Sequence, residues 1–158
     1  MIDAVVAMLQ RHPFVEDFDA PHVDTLATMA ARVRFNQGQV LFREGDECHD
    51  FYLISSGLVA LEIVAPEHTF RVQTVGAGDE LGWSALLMGR GKHFQARVLE
   101  RADALALDGG ELLAACKHDT HFGFVFMHRL LDVVAGRLQA TRLQLLDAHS
   151  PVAARAGA

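Results

Sequence analysis

The stretch Gly78-Asp79-Glu80-Leu81-Gly82-Trp83-Ser84-Ala85-Leu86-Leu87 departs from ordinary strand-and-turn sequence. Glycine at 82, followed by small residues and then an apolar helical turn, is what a backbone needs to aim several N–H groups at one anion. A side chain at the first position would block that approach. The same residues also suit a tight turn that enters a half-turn of structural helix, so the segment alone supports both readings. Gly82, Trp83, Ser84 and Ala85 are the candidate residues it supplies.

On both sides of this segment the pattern is that of short strands. Runs rich in Val, Phe, Ile and Leu begin at Val33 and continue at Val40–Phe42, Phe51–Ile54, Leu58–Val64, Thr69–Val75, Gln95–Leu99 and Ala104–Leu107. They are separated by turns at Asn36-Gln37-Gly38, Glu44-Gly45-Asp46, Ser55-Ser56-Gly57 and Gly76-Ala77-Gly78-Asp79. Many short strands at near-regular spacing predict a sandwich or a small barrel. Before them, Met1–Gln10 is apolar at helical spacing, and Asp19 reads as the N-cap of a helix through about Arg32, with Val23, Leu26, Ala27 and Ala30 on one face. After Asp108 the helical period returns, briefly through Leu112 and Leu113 and then from about Asp119 to Asp147.

That last helix is the most periodic part of the chain. Phe124, Met127, Leu131, Val134, Leu138, Thr141 and Leu145 are spaced 3, 4, 3, 4, 3, 4, the a/d seam of a coiled coil. Phe122, Phe126, Leu130 and Val133 widen the stripe, so the helix is expected to meet its own barrel along one edge and a second copy of itself along another. Phe124, Met127, Leu131, Val134, Leu138 and Leu145 are the predicted interface of a homodimer.

Composition narrows the class. The chain has 158 residues, 51% of them hydrophobic and 22% charged, with a formal net charge of −6. One domain with one core fits that length. No apolar run approaches a membrane span, and the acidic start Met1-Ile2-Asp3 is unlike a secretory signal, so a cytoplasmic protein without membrane association is expected. Cys48 and Cys116 lie far apart and fit a reducing compartment. The acidic balance carries no basic stripe for a phosphate backbone.

Taken in order, Phe42-Arg43-Glu44-Gly45-Asp46, then Asp50-Phe51-Tyr52-Leu53-Ile54-Ser55-Ser56-Gly57, then Gly78-Asp79-x-Leu81-Gly82 and a long dimer-type helix closely resemble the cyclic-nucleotide-binding domain of the catabolite-activator and fumarate-nitrate regulator superfamily. The resemblance runs from about His12 to Asp147. It implies a mainly β fold with flanking helices: a double-stranded β-helix (a β-roll of jelly-roll type, about eight strands), a phosphate-binding cassette between two strands, and a long C-terminal dimerisation helix. Residues 1–118 would hold the N-terminal helices and the roll, 119–147 the dimer helix of the same domain, and 148–158, stopped by Pro151, a flexible tail.

Carried over residue by residue, the resemblance departs in two places. Ligand-binding members have a glutamate after the cassette glycine for the ribose 2′-hydroxyl; here Trp83 follows Gly82. An arginine pairs with the cyclic phosphate a few residues before the Val that resumes the strand. If that Val is Val98, the arginine's place falls on Phe94 or, with a one-residue slip, on His93. Phenylalanine offers no donor, and histidine is mostly neutral at pH 7 where arginine is a permanent bidentate cation. Gly82, Ser84 and Ala85 keep the backbone cradle. Thr141 matches the family hydroxyl that contacts the purine, and is equally a polar seam residue that sets helix register. Trp83 either fills the pocket or stacks on a ligand of different shape. The local run Met88-Gly89-Arg90-Gly91-Lys92-His93 is basic, so Arg90, Lys92 or Arg97 could hold an anion, or the charges are simply solvated. With Phe94 and Gln95 these complete the candidate ligand residues.

Two other classes are weighed against this one. A metal-dependent barrel enzyme needs a His-x-His pair with a Glu; His49, His68 and His93 lie in different turns, and His118, His121 and His128 read as surface residues of a helix start. No catalytic triad, Walker loop or dinucleotide fingerprint is present, so no catalysis, metal or cofactor is expected. A DNA-binding regulator would need about 60–70 residues after the dimer helix, so direct DNA binding is not expected. The expected protein is a stand-alone regulatory or sensor domain that binds a small anion other than a cyclic nucleotide, or none, and signals through an unidentified protein partner. The alternative is a genuine cAMP or cGMP binder using loop basic residues.

Overall fold

In the computed structural model, residues 2–47, 49–86 and 94–149 are described. Helix α1 (Ile2–Arg11), a 3-10 turn at Pro13–Val15 and helix α2 (Ala20–Met29) precede strands β1 (Ala30–Phe35), β2 (Val40–Phe42), β3 (Asp50–Val64), β4 (Thr69–Gly76), β5 (Glu80–Leu81) and β6 (Gln95–Asp108). Helices α3 (Gly109–His118) and α4 (Thr120–His149) follow. The strands form one antiparallel sheet in the order β1-β6-β3-β4, with β2 added on β6 and β5 on β3. This is the expected β-roll with flanking helices.

Strand boundaries differ from the expectation in an informative way. Phe51–Ile54 and Leu58–Val64 are two parts of one strand, β3, and Gln95–Leu99 and Ala104–Leu107 are two parts of β6. The register between β3 and β6 shifts three times from Ile54 to Val59, so the paired strands change course there without leaving the ladder. Gly57 makes this possible. Its φ is 92°, and a Cβ would strike the Arg101 carbonyl oxygen and the Ala102 backbone. A Ser-Ser-Gly run reads as a turn, but here it is a bulge where two backbones press together.

Helix α2 ends three residues before the expected Arg32. Val23, Leu26 and Ala27 are buried as predicted, while Ala30 leaves the helix and pairs with Leu107 of β6. Ala-Ala-Arg favours helix locally, and the unfilled edge of β6 overrides it. At the other end α4 continues two residues past Asp147 to His149; the predicted tail 150–158 lies outside the described residues. Helix α4 starts where predicted: Asp119 Oδ1 accepts from the His121 and Phe122 N–H groups, both at 3.1 Å.

Phe51–Ile54 of β3 and Ala104–Leu107 of β6 are buried or half-buried throughout, which is why they read as apolar runs, whereas the remainder of each strand is in part exposed. One face carries Ile54, Val59, Leu61, Ala96, Val98 and Ala102, which cluster with Val75 and Leu81 inside the roll. The alternate residues Phe51, Leu53, Leu105 and Leu107 are fully buried as well. Phe51 meets Phe14 of the N-terminal lead at 5.5 Å between ring centroids, and the rings continue through Phe18 to Phe122 at 6.1 and 6.4 Å. Each such fully buried Leu or Phe contributes about 1.5–3 kcal/mol. By contact density the chain divides into two units after Phe124, so the first turn of α4 belongs with the roll and the rest of the helix, through His149, forms the second unit.

Candidate functional site

The 78–87 segment begins in a turn tied down on every side. The Asp79 carboxylate accepts from Gly76 N–H at 2.8 Å, and the Asp79 carbonyl accepts from Ile54 N–H at 2.9 Å. That carbonyl also takes the His12 Nε2 proton at 3.1 Å, while His12 Nδ1 accepts from Phe14 N–H at 3.1 Å. The two bonds fix the ring as the Nε2–H tautomer and pin the N-terminal lead to the start of this segment. β5 then pairs Glu80 and Leu81 with Leu53 and Tyr52.

Gly82 follows at φ 84°, the conformation that favours glycine, and Trp83–Leu86 form a 3-10 turn. Gly82, Ser84 and Ala85 are buried and Trp83 is half-buried. The Ala85 N–H closes the turn on the Gly82 carbonyl at 2.9 Å. Gly109, at the start of α3, lies so close to the Ala85 carbonyl that any side chain there would collide with it. The turn is therefore held from behind by α3.

Where the strand resumes, alternation sorts the candidates. Phe94 packs against the roll's apolar cluster, which contains Ala96 and Val98; Gln95 and Arg97 take the opposite face. There Gln95 Nε2 and Arg97 Nε donate to Glu62 Oε1 at 3.1 and 3.0 Å, and Arg97 Nη2 donates to Glu62 Oε2 at 2.8 Å. Arg97 thus turns away from the interior, and its reading as a stand-in for the missing arginine is corrected. Glu62 is 2% exposed, and the Arg97 fork, helped by Gln95 and Arg71, holds its carboxyl below the usual carboxylate range despite burial. The pairing in turn raises Arg97, which stays charged. Sequence reading passed over Glu62, although the signal was there: an acid inside Val59-Ala60-Leu61-Glu62-Ile63-Val64 must be paired if that strand is buried.

The interior around Phe94 is aromatic. Phe35, Leu41, Phe42 and Tyr52 pack against the same cluster, with Phe35 edge-on to Tyr52 at 5.6 Å. Burial first, then the nearby Asp50 carboxylate, whose Oδ2 is 3.5 Å from the hydroxyl, pushes the Tyr52 pKa up to about 12. Tyr52 therefore remains a neutral phenol at any physiological pH.

Arg90, Lys92 and His93 lie outside the described residues. Thr141 is exposed in the second unit, its hydroxyl donating to the Arg137 carbonyl one turn back at 2.9 Å. Along the predicted seam Phe124, Leu131, Leu138 and Leu145 are exposed, Met127 and Val134 half-buried, and Phe122 and Phe126 buried. Of the helix-start histidines, His121 lies against His22 of α2 at 4.9 Å between rings. No described helix is long and apolar enough to cross a membrane.

Comparison with known proteins agrees with the fold. Residues 32–119 match the family described as the cyclic nucleotide-binding domain. A cyclic nucleotide-binding domain of Methylobacillus flagellatus superposes with a TM-score of 0.78 at 18% identity, over 92% of this chain and 82% of that one. The catabolite activator protein of Thermus thermophilus superposes with a TM-score of 0.70 at 25% identity, over 84% of this chain and 61% of that one. A Rhodopseudomonas palustris protein named as a potassium channel is 27% identical over 131 residues; these cover 83% of this chain but 31% of the channel protein's length.

Proposed function

The chain belongs to the family of cyclic nucleotide-binding domains, and from that premise we propose that it is a non-catalytic regulatory module in which the usual cyclic-nucleotide contacts have been given up. It senses a small anionic ligand of another kind, or works without one, and passes its state to a partner protein in the cytoplasm. The observation that carries this is Phe94: the place where the resemblance puts the phosphate-pairing arginine holds a phenyl ring packed on the apolar cluster of the roll. Removing one partner of a desolvated charged pair costs about 2–5 kcal/mol, which takes a micromolar site toward the millimolar range. Trp83, half-buried in the place of the ribose-binding glutamate, points the same way. Arg97, committed to Glu62 on the other face, offers no substitute.

The module acts as a homodimer through α4, whose exposed leucines at heptad spacing need an apolar partner surface. A relative named as a potassium channel carries the matching segment within a much longer chain, which fits a sensing module whose output is read by other protein. Calorimetric titration of the purified chain with cAMP at moderate salt tests the reading. No heat up to millimolar cAMP is the expected result; binding at micromolar or tighter would overturn it and assign the phosphate to Arg90, Lys92 or His93.

A further inference from the structure

We propose that the outer face of the sheet, where β4, β3 and β6 run side by side, carries a second ligand site, separate from the roll's interior, that takes a small oxyanion bearing a carboxylate or phosphate group. Glu62, Thr69, Arg71, Gln95 and Arg97 line a cleft there of about 500 Å3. Strand register brings them together: across the ladders Glu62 of β3 lies opposite Arg71 of β4 and opposite Gln95 of β6. Thr69 and Arg97 each stand two residues along from these, on the same face.

The chemistry of the cleft follows from how Glu62 is used. Its two oxygens already accept three hydrogen bonds, from Gln95 and from Arg97 through Nε and Nη2, so this acid is answered and offers little to a cation. What faces outward is donor-rich. Arg97 keeps its Nη1 group, Thr69 its hydroxyl, and Arg71 is exposed with no carboxylate bonded to it among the described residues. Two guanidiniums against one carboxylate leave the cleft at +1 in a chain whose formal charge is −6. A planar fork beside a hydroxyl is the donor set that an oxyanion pairs with bidentately. Because Phe94, Ala96 and Val98 point the other way along β6, an anion held here does not compete with a ligand in the roll.

Amide-resolved NMR titration of the full chain with inorganic phosphate, and in parallel with acetate, at ionic strength held constant with chloride, tests the site. The expected result is saturable shifts at Thr69, Arg71, Gln95 and Arg97; the anion that saturates first tells phosphate from carboxylate chemistry. Arg71→Ala, a change at an exposed side chain, is expected to weaken binding about tenfold or more, as loss of a charge-assisted hydrogen bond does. Glu62→Gln raises the cleft to +2 and is expected to tighten it several-fold. Shifts that grow without saturation, or that are equal in Arg71→Ala, overturn the proposal. So does unchanged or weaker binding in a folded Glu62→Gln protein; should that variant not fold, the Arg71→Ala result decides.

Discussion

His12 shows how one side chain can tie distant parts of a chain together. It is 5% exposed and bonds both Phe14 N–H and the Asp79 carbonyl, 67 residues away. Asp79 keeps its bond from Ile54, but without the ring the Phe14 N–H next to the buried phenyl loses its acceptor. His12→Ala is therefore expected to destabilise the fold by about 1–3 kcal/mol, read as a shift in the urea midpoint. Glu62 gives a pH signature. Its folded pKa lies below the unfolded value, so its stabilisation is complete above about pH 4.3 and is lost as pH falls through the folded pKa. The stability gap between the native chain and Glu62→Gln, measured by urea unfolding, is expected to be largest near neutrality and to close in acid. A gap that stays constant would show that the carboxylate charge contributes nothing. Neither role was legible from composition or period, because both depend on partners brought close only by folding. For Glu62 the strand pattern at least raised the question.

At the level of elements, α4 was the clearest part of the sequence and α2 the least secure. A 3,4 spacing over seven positions can be satisfied only by a helix, and the caps confirm it: Asp119 at its start and Asp108 at the start of α3, whose side chain accepts from Glu111 N–H at 2.9 Å. The C-terminal end of α2 had no such stop signal, and competition from the β6 edge settled it. The exposure of Leu131 and Leu138, 66% and 61% in the single chain, allows the seam to be tested without touching the core. Leu131→Glu combined with Leu138→Glu is expected to give folded monomers in sedimentation equilibrium. Each leucine removed from an interface costs about 1.5–3 kcal/mol, and the added like charges oppose each other across the seam. A dimer that survives both changes would place the contact elsewhere.

On the scale of the whole molecule, the proposed loss of the cyclic-nucleotide contacts turns on two side chains, Trp83 and Phe94. Among the described residues the 78–86 segment has Gly82 at positive φ, the 3-10 turn behind it, and Asp79 bonded into the turn before it. Trp83→Glu combined with Phe94→Arg is accordingly expected to create or strengthen cAMP binding in calorimetry, from no detectable heat at millimolar ligand toward the micromolar range. If the double variant folds and gains nothing, the aromatic interior formed by Phe35, Phe42 and Tyr52 has closed the pocket more deeply than these two positions.

By itself the sequence determined, through local period, a run of short strands between flanking helices and a long heptad helix, and through its ordered glycine-centred motifs a family resemblance that implied the β-roll. Period is a local property, and the resemblance supplied the fold that period alone left as a sandwich or a small barrel. Tertiary structure alone decided that Ser55-Ser56-Gly57 is a bulge within a 15-residue strand, that Ala30 belongs to a strand, and that Arg97 serves Glu62 and not the interior. The reason is the same in each case. Which face a side chain takes, and which ladder an ambiguous residue joins, is set by the neighbouring strand, and that neighbour lies tens of residues away in the chain.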